Sequence, residues 1–236
     1  MRCLMMKTAP HDGIAIALAN RHYLYELMQH TFGNEPSGPL FDAVTSDHTR
    51  DALGLWLDEE SDLSDYLSLL AEVKAALAKD RETTLERLKG EYTALFIGPD
   101  KLPAPPWESV YRSEERIIFQ ESTLKVRRAY LEYEFLPANY PHEADDHLAM
   151  ELDFMAHLSK MTLERFEEEE YAEVSRLLSS QKEFLEEHLL AWITDFSREI
   201  QNAKTHYFYP RLAVLTERIL QVDKAVIQEV MDSLGS

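Results

Sequence analysis

Seven glycines in 236 residues set the first constraint on this chain. Tight hairpins and the corners of sheets draw on glycine for left-handed backbone positions, and two-residue apolar alternation is as scarce here as glycine itself. The expectation is an all-α fold. Leu63, Tyr66, Leu67, Leu70, Val73 and Leu77 fall at three-four spacing and form one apolar helical stripe. Thr83 with Glu86 resembles a capping box, opening a helix that carries Leu88, Tyr92, Leu95 and Phe96 on one side and stops at Gly98-Pro99.

Four of the ten prolines, Pro99, Pro103, Pro105 and Pro106, then forbid a helix, since each fixes φ and lacks a donor. A stiff loop over residues 98–118 is expected, holding Trp107, Val110 and Tyr111. Ser122 to Glu134 reads as a helix, and Pro137 with Pro141 marks a hinge at 136–143. From Glu143 onward the pattern is helical again. At 100° per residue, Leu152, Met155, Ser159 and Thr162 fall within about 40° of Leu148, and Glu151 lies about 60° away, at the edge of the core. The acidic run Glu167 to Glu170 connects to a helix with Phe184, His188, Trp192 and Phe196 four residues apart, a stripe expected in the core. Tyr207 to Met231 forms the last helix, with Pro210 tolerable only in its first turn. No repeat or low-complexity linker divides the chain. The reading is a single-domain helical bundle over residues 1–236, with 1–10 expected to be mobile.

Charge narrows the partners. Forty-three acidic against twenty-four basic residues give a net charge of −19, a field that repels nucleic acid and anionic lipid and attracts cations. A single cysteine, Cys3, allows no internal disulfide and suits a reducing compartment. The N-terminus shows no secretory pattern, and apolar runs such as Gly13 to Asn20 are too short to span a membrane. A soluble, cytoplasmic protein is expected.

Common enzyme signatures are missing. Neither GxxxxGK[ST] nor GxGxxG occurs, Ser109 has no nucleophile-elbow glycines around it, and none of the nine histidines has the partner glutamate of a di-iron bundle or an HExxH motif. One constellation stands out: Glu143, Asp145, Asp146, His147 and Glu151. It admits a metal-dependent hydrolase using His147, Glu151 and Asp146, with His142 as a further ligand. It also admits a plainer reading in which Asp145 or Asp146 caps the helix and His147 bonds Glu151.

The segment from Glu91 through Tyr-Thr-Ala-Leu-Phe-Ile-Gly-Pro to Pro-Pro-Trp-Glu-Ser-Val-Tyr111 resembles the signature of the TorD/DmsD family of redox-enzyme maturation chaperones. Glu143-Ala-Asp-Asp-His-Leu-Ala-Met-Glu-Leu-Asp-Phe-Met155 and Phe184-Leu-Glu-Glu-His-Leu-Leu-Ala-Trp192, followed by Phe208-Tyr209, are similar in the same order. The resemblance covers about Glu91 to Leu215; the first 80 residues share only helical character. It implies an all-α cytoplasmic chaperone that binds the twin-arginine signal peptide of a molybdenum-cofactor oxidoreductase and delays export until the cofactor is inserted. No catalysis and no resident cofactor are implied, although weak guanine-nucleotide binding is a trait of some members. Monomers and domain-swapped dimers are both compatible with it.

By motif, the binding positions carried over are Leu95, Phe96, Pro106, Trp107, Tyr111, Asp146 and His147. Ala144 and Tyr92 depart from the family, which often has proline and tryptophan there. Two guanidinium groups beside an apolar segment call for carboxylates next to a hydrophobic groove. Glu143, Asp145 and Asp146, with Glu108 as a further candidate, are expected to meet the arginines, and Leu95, Phe96, Trp107 and Tyr111 the apolar part. An imidazole among carboxylates also suggests that His147 makes release pH-sensitive.

Overall fold

Residues 10–57, 62–98, 101–137 and 143–235 are described by the computed structural model. Cys3, His142, the mobility expected of the N-terminus and the centre of the expected hinge (138–142) lie outside the described residues. Along the chain run α1 (Pro10–Gly33), α2 (Gly38–Val44), α3 (Asp47–Trp56), α4 (Asp62–Lys79) and α5 (Arg81–Tyr92), the last continuing into a π-helical turn, Thr93–Ile97. A short α6 (Glu108–Arg112) and α7 (Glu121–Glu132) follow, then α8 (Leu148–Glu167). Next come α9 (Tyr171–Phe184), a second π turn (Leu185–Leu189), α10 (Leu190–Gln201) and α11 (Tyr209–Leu234). The all-α expectation holds.

One apolar core runs from Ile14 to Val230. Its spine is α1 lying antiparallel along α8: His11 meets Phe166 with ring centroids 4.7 Å apart, while at the other end a Cβ on Gly33 would stand 3.0 Å from that of Ala149. Glycine is what lets these helices close at that end. Arg21 on α1 grips Asp223 on α11 through two bonds of 2.7 and 2.9 Å. Tyr25 donates to the same carboxylate at 2.8 Å, so the first and last long helices are fastened by a buried ion pair.

Local chemistry sets most boundaries and corrects some expectations. The cap of α5 is Asp80, whose side chain accepts the Thr83 amide at 3.1 Å; Thr83 already lies inside the helix. Gly98 ends the following π turn at φ 87°, a conformation that suits glycine. The proline-rich stretch is not loop throughout, because α6 forms at its end. Helix α8 begins at Leu148, five residues after Glu143. Its expected apolar stripe is buried, and Glu151 lies fully inside rather than at the margin.

Candidate functional site

The two motif segments meet. Trp107 and His147 form an antiparallel backbone bridge, in which Glu108 N–H donates to Asp146 O at 3.0 Å and Leu148 N–H to Pro106 O at 2.9 Å. Two prolines precede the bridge and two helices leave it, so the chain presents Trp107 and His147 side by side, their rings edge-on at 5.4 Å. The Trp107 indole N–H donates to Glu143 Oε1 at 2.8 Å. Trp107, Glu143 and His147 remain partly exposed, whereas Pro106, Asp145 and Asp146 are buried.

Burial reassigns the carboxylates. Asp145 receives Arg127 Nε at 2.8 Å, and Tyr130 donates to its backbone oxygen at 2.9 Å. Asp146 Oδ2 accepts the Ser109 amide at 2.8 Å and so caps α6 from a remote segment, while its Oδ1 has no partner. Neither is placed as an open acceptor for arginine; Glu143 is the carboxylate of the triplet region that reaches the surface. His147 caps its own helix, Nδ1 accepting the Ala149 amide at 3.1 Å, in place of the expected bond to Glu151. That assigns the ring proton to Nε2. Burial lowers the His147 pKa, with the charges of Glu143 and Asp146 opposing the shift. Both the cap and this shift weigh against titration near neutrality, because a cationic ring would have to surrender the cap.

Behind the bridge lies a buried acidic cluster. Glu151 Oε2 accepts the Trp192 indole N–H at 3.2 Å, and Glu108 Oε2 bonds His188 Nδ1 at 2.9 Å. Burial, then the charges of Glu108 and Asp146, push the Glu151 carboxyl well above its ordinary range. No group of three or more histidine, cysteine or acidic side chains among the described residues is arranged to hold a metal ion. Of the three residues expected to form one, Asp146 Oδ2 takes the Ser109 amide, His147 Nδ1 the Ala149 amide and Glu151 Oε2 the Trp192 indole.

The remaining expected residues flank this centre. Phe96 lies edge-on to Tyr92 and Tyr209, with centroids at 5.2 and 5.3 Å, and Leu95 is buried beside them. Tyr111 stacks on Trp192 at 5.4 Å, on the side of the Glu151 cluster. Within the Phe96 group, the Tyr92 hydroxyl donates to Phe32 O at 3.1 Å. Its pKa is pushed up to about 12 by burial and then by the charges of Glu35 and Glu143. Glu35 was missed in the sequence. It sits in a stretch without helical periodicity, and only the fold brings it beside Tyr92.

The bundle and this bridged wall define a helical protein whose two motif segments meet at one partly open site. The family model described as nitrate reductase delta subunit matches residues 59–198, and the chain belongs to that family. The Haemophilus influenzae protein named "Probable Tat proofreading chaperone DmsD" is 32% identical over 136 residues, 58% of this chain and 60% of that one; the match thus spans about three fifths of that relative. "Chaperone protein TorD" of Aliivibrio salmonicida is 27% identical over 167 residues, covering 71% of this chain and 76% of the relative. A crystal structure from Archaeoglobus fulgidus, assigned there to redox enzyme maturation, aligns with a TM-score of 0.50 at 22% identity, covering 85% of this chain and 93% of that one. It shows the fold. Both of these curated relatives carry chaperone names. None of its described helices is long and apolar enough to cross a membrane.

Proposed function

We propose that the chain binds the twin-arginine signal peptide of a molybdenum-cofactor oxidoreductase in the cytoplasm and assists cofactor insertion before export. The observation that carries this reading is the Trp107–His147 bridge, which sets an aromatic ring and the Glu143 carboxylate on one partly open wall. A guanidinium group matches a carboxylate in charge and fork geometry, and an apolar peptide segment matches the ring. In this reading Glu143 and Glu35 meet the arginines, Trp107 and Phe96 receive apolar side chains, and Leu95, Pro106, Tyr111, Asp145, Asp146 and His147 hold the wall in shape. The −19 charge speeds encounter with a cationic leader and loses that effect as salt rises. The apoprotein of the same oxidoreductase is the larger partner, met as a monomer or an exchanged dimer; light scattering separates these states. Guanine nucleotide, if bound, binds weakly.

Calorimetry with a synthetic twin-arginine leader tests the reading. Wild type binds, and replacing both arginines with glutamine abolishes most of the affinity. A leader that binds equally well without its arginines overturns it.

A further inference from the structure

A second surface begins where α1 ends against α8, with Gly33 meeting Ala149 two residues past His147. On α1, Tyr23, Leu27 and His30, with Asn34 just past its end, recur at three-four spacing and line an open groove of about 510 Å³ together with Pro39, Leu40 and Ala43 of α2. Its walls are held. The Tyr23 hydroxyl is 2.6 Å from Thr49 Oγ1, and Ser37 caps α2 by accepting the Leu40 amide at 3.4 Å.

The groove has a direction. Asn34 is part of the lining, and the next residue is Glu35, whose charge, like that of Glu143, raises the Tyr92 pKa. Glu143 beside Trp107, Glu35 next to Asn34, and Glu26 in the groove lining give this side carboxylates at both the wall and the groove. Lys89 holds Glu35 at 3.1 Å, and a guanidinium group can compete with it. An occupant matching this order carries positive charge first and apolar side chains after it.

Resting on the leader reading above, we infer that the groove between α1 and α2 receives the apolar segment that follows the arginine pair of the leader, while the pair itself sits between Glu143 and Glu35. The leader then crosses from the motif-bearing half of the chain onto its first two helices, giving the N-terminal region, which the family signature leaves unread, a direct part in choosing the client. Apolar side chains of the leader replace water over Leu27 and Leu40, and the volume lies within the roughly 300–1,000 Å³ usual for ligand sites.

The experiment uses the full chain and two synthetic peptides: a complete twin-arginine leader and the same leader cut immediately after its arginine pair. Pro39→Glu and Ala43→Glu place charge in the groove at exposed positions, and circular dichroism verifies their folding. Each variant should weaken the complete leader by about tenfold and leave the cut peptide unchanged. A photo-crosslinker in the apolar segment should label Leu27 or Leu40. Unchanged affinity for the complete leader in both folded variants overturns the inference and leaves the leader reading standing, as does crosslinking only to the exposed Ile117–Phe119 loop. Wild type failing to bind either peptide removes both. Self-association abolished by the variants, without an effect on peptide, makes the groove a face for a second copy and overturns the inference.

Discussion

Two buried carboxylates, Glu91 and Asp146, do the same job in different ways. Each reaches from its own segment to the start of a distant helix and accepts main-chain N–H groups that the helix cannot satisfy itself. Glu91 is saturated: Oε1 takes the Thr205 hydroxyl and the Tyr207 amide at 2.6 and 2.7 Å, and Oε2 takes the amides of Phe208 and Tyr209 at 2.7 and 3.2 Å. Asp146 takes one amide and leaves an oxygen unpaired. Around Glu91 the segment Thr205–Tyr209 folds back onto the carboxylate; beside Asp146 are the partly exposed Trp107 and Glu143. The Glu91 knot uses its acceptors fully, whereas the wall beside Asp146 keeps one buried oxygen unpaired and presents partly exposed aromatic surface.

The largest expected effect tests the saturated knot. Glu91→Ala strands four donors at the start of α11 and should cost about 3–5 kcal/mol in urea denaturation, with leader affinity unchanged wherever the fold survives. Trp107→Ala should do the reverse, weakening leader binding by about 2 kcal/mol in calorimetry with little loss of stability, because the ring is partly exposed. If both substitutions affect stability and binding alike, the contrast between the two regions collapses. Asp146→Asn falls between them. It keeps an acceptor for Ser109 but removes the charge, and should change stability by about 1 kcal/mol or less.

The contrast also marks how far the sequence could be read. Helical spacing, prolines and Pro210 at the start of α11 gave the elements, because these are local properties. Motif resemblance named Trp107 and His147 but not their bridge, which joins residues 40 positions apart. Nothing local shows that Glu91 caps a helix over 110 residues away, that Arg21 pairs with Asp223 at a separation of 202, or that Glu108 meets His188 at a separation of 80. The same limit explains Asp145 and Asp146. Acidic residues at a helix start read as exposed, and only the arrival of Arg127 and α6 buries them.

A smaller effect probes the acid-rich side of the bridge. Glu151 has its carboxyl pKa raised by burial, so above the unfolded value near 4.5 the native state binds more protons than the unfolded chain. Stability from this group therefore declines as pH rises from about 4.5 toward the folded pKa. Glu151→Gln keeps an acceptor for Trp192 and removes the ionisable group. It should stabilise the protein by about 1 kcal/mol at neutral pH, with the gain vanishing near pH 4. A gain independent of pH, measured by thermal melts across that range, would detach Glu151 from the cluster.

The smallest expected effect is a null one, and it separates the wall from a switch. His147 has a pKa lowered by burial, and its Nδ1 lone pair is occupied by the Ala149 amide. Between its folded pKa and the unfolded value near 6.5, the unfolded chain binds the extra proton, so the contribution of His147 to stability is complete above about pH 6.5 and is lost as pH falls below it. Leader affinity, measured at constant ionic strength, should stay flat from pH 6 to 8 because the cap holds the Nδ1 lone pair. His147→Asn retains a capping acceptor and should leave that profile flat while removing this contribution to the acid-side loss of stability. Affinity that climbs toward pH 6 in wild type and not in the variant would mean that His147 gives up its cap to accept a proton, making the notch a pH-driven release device after all.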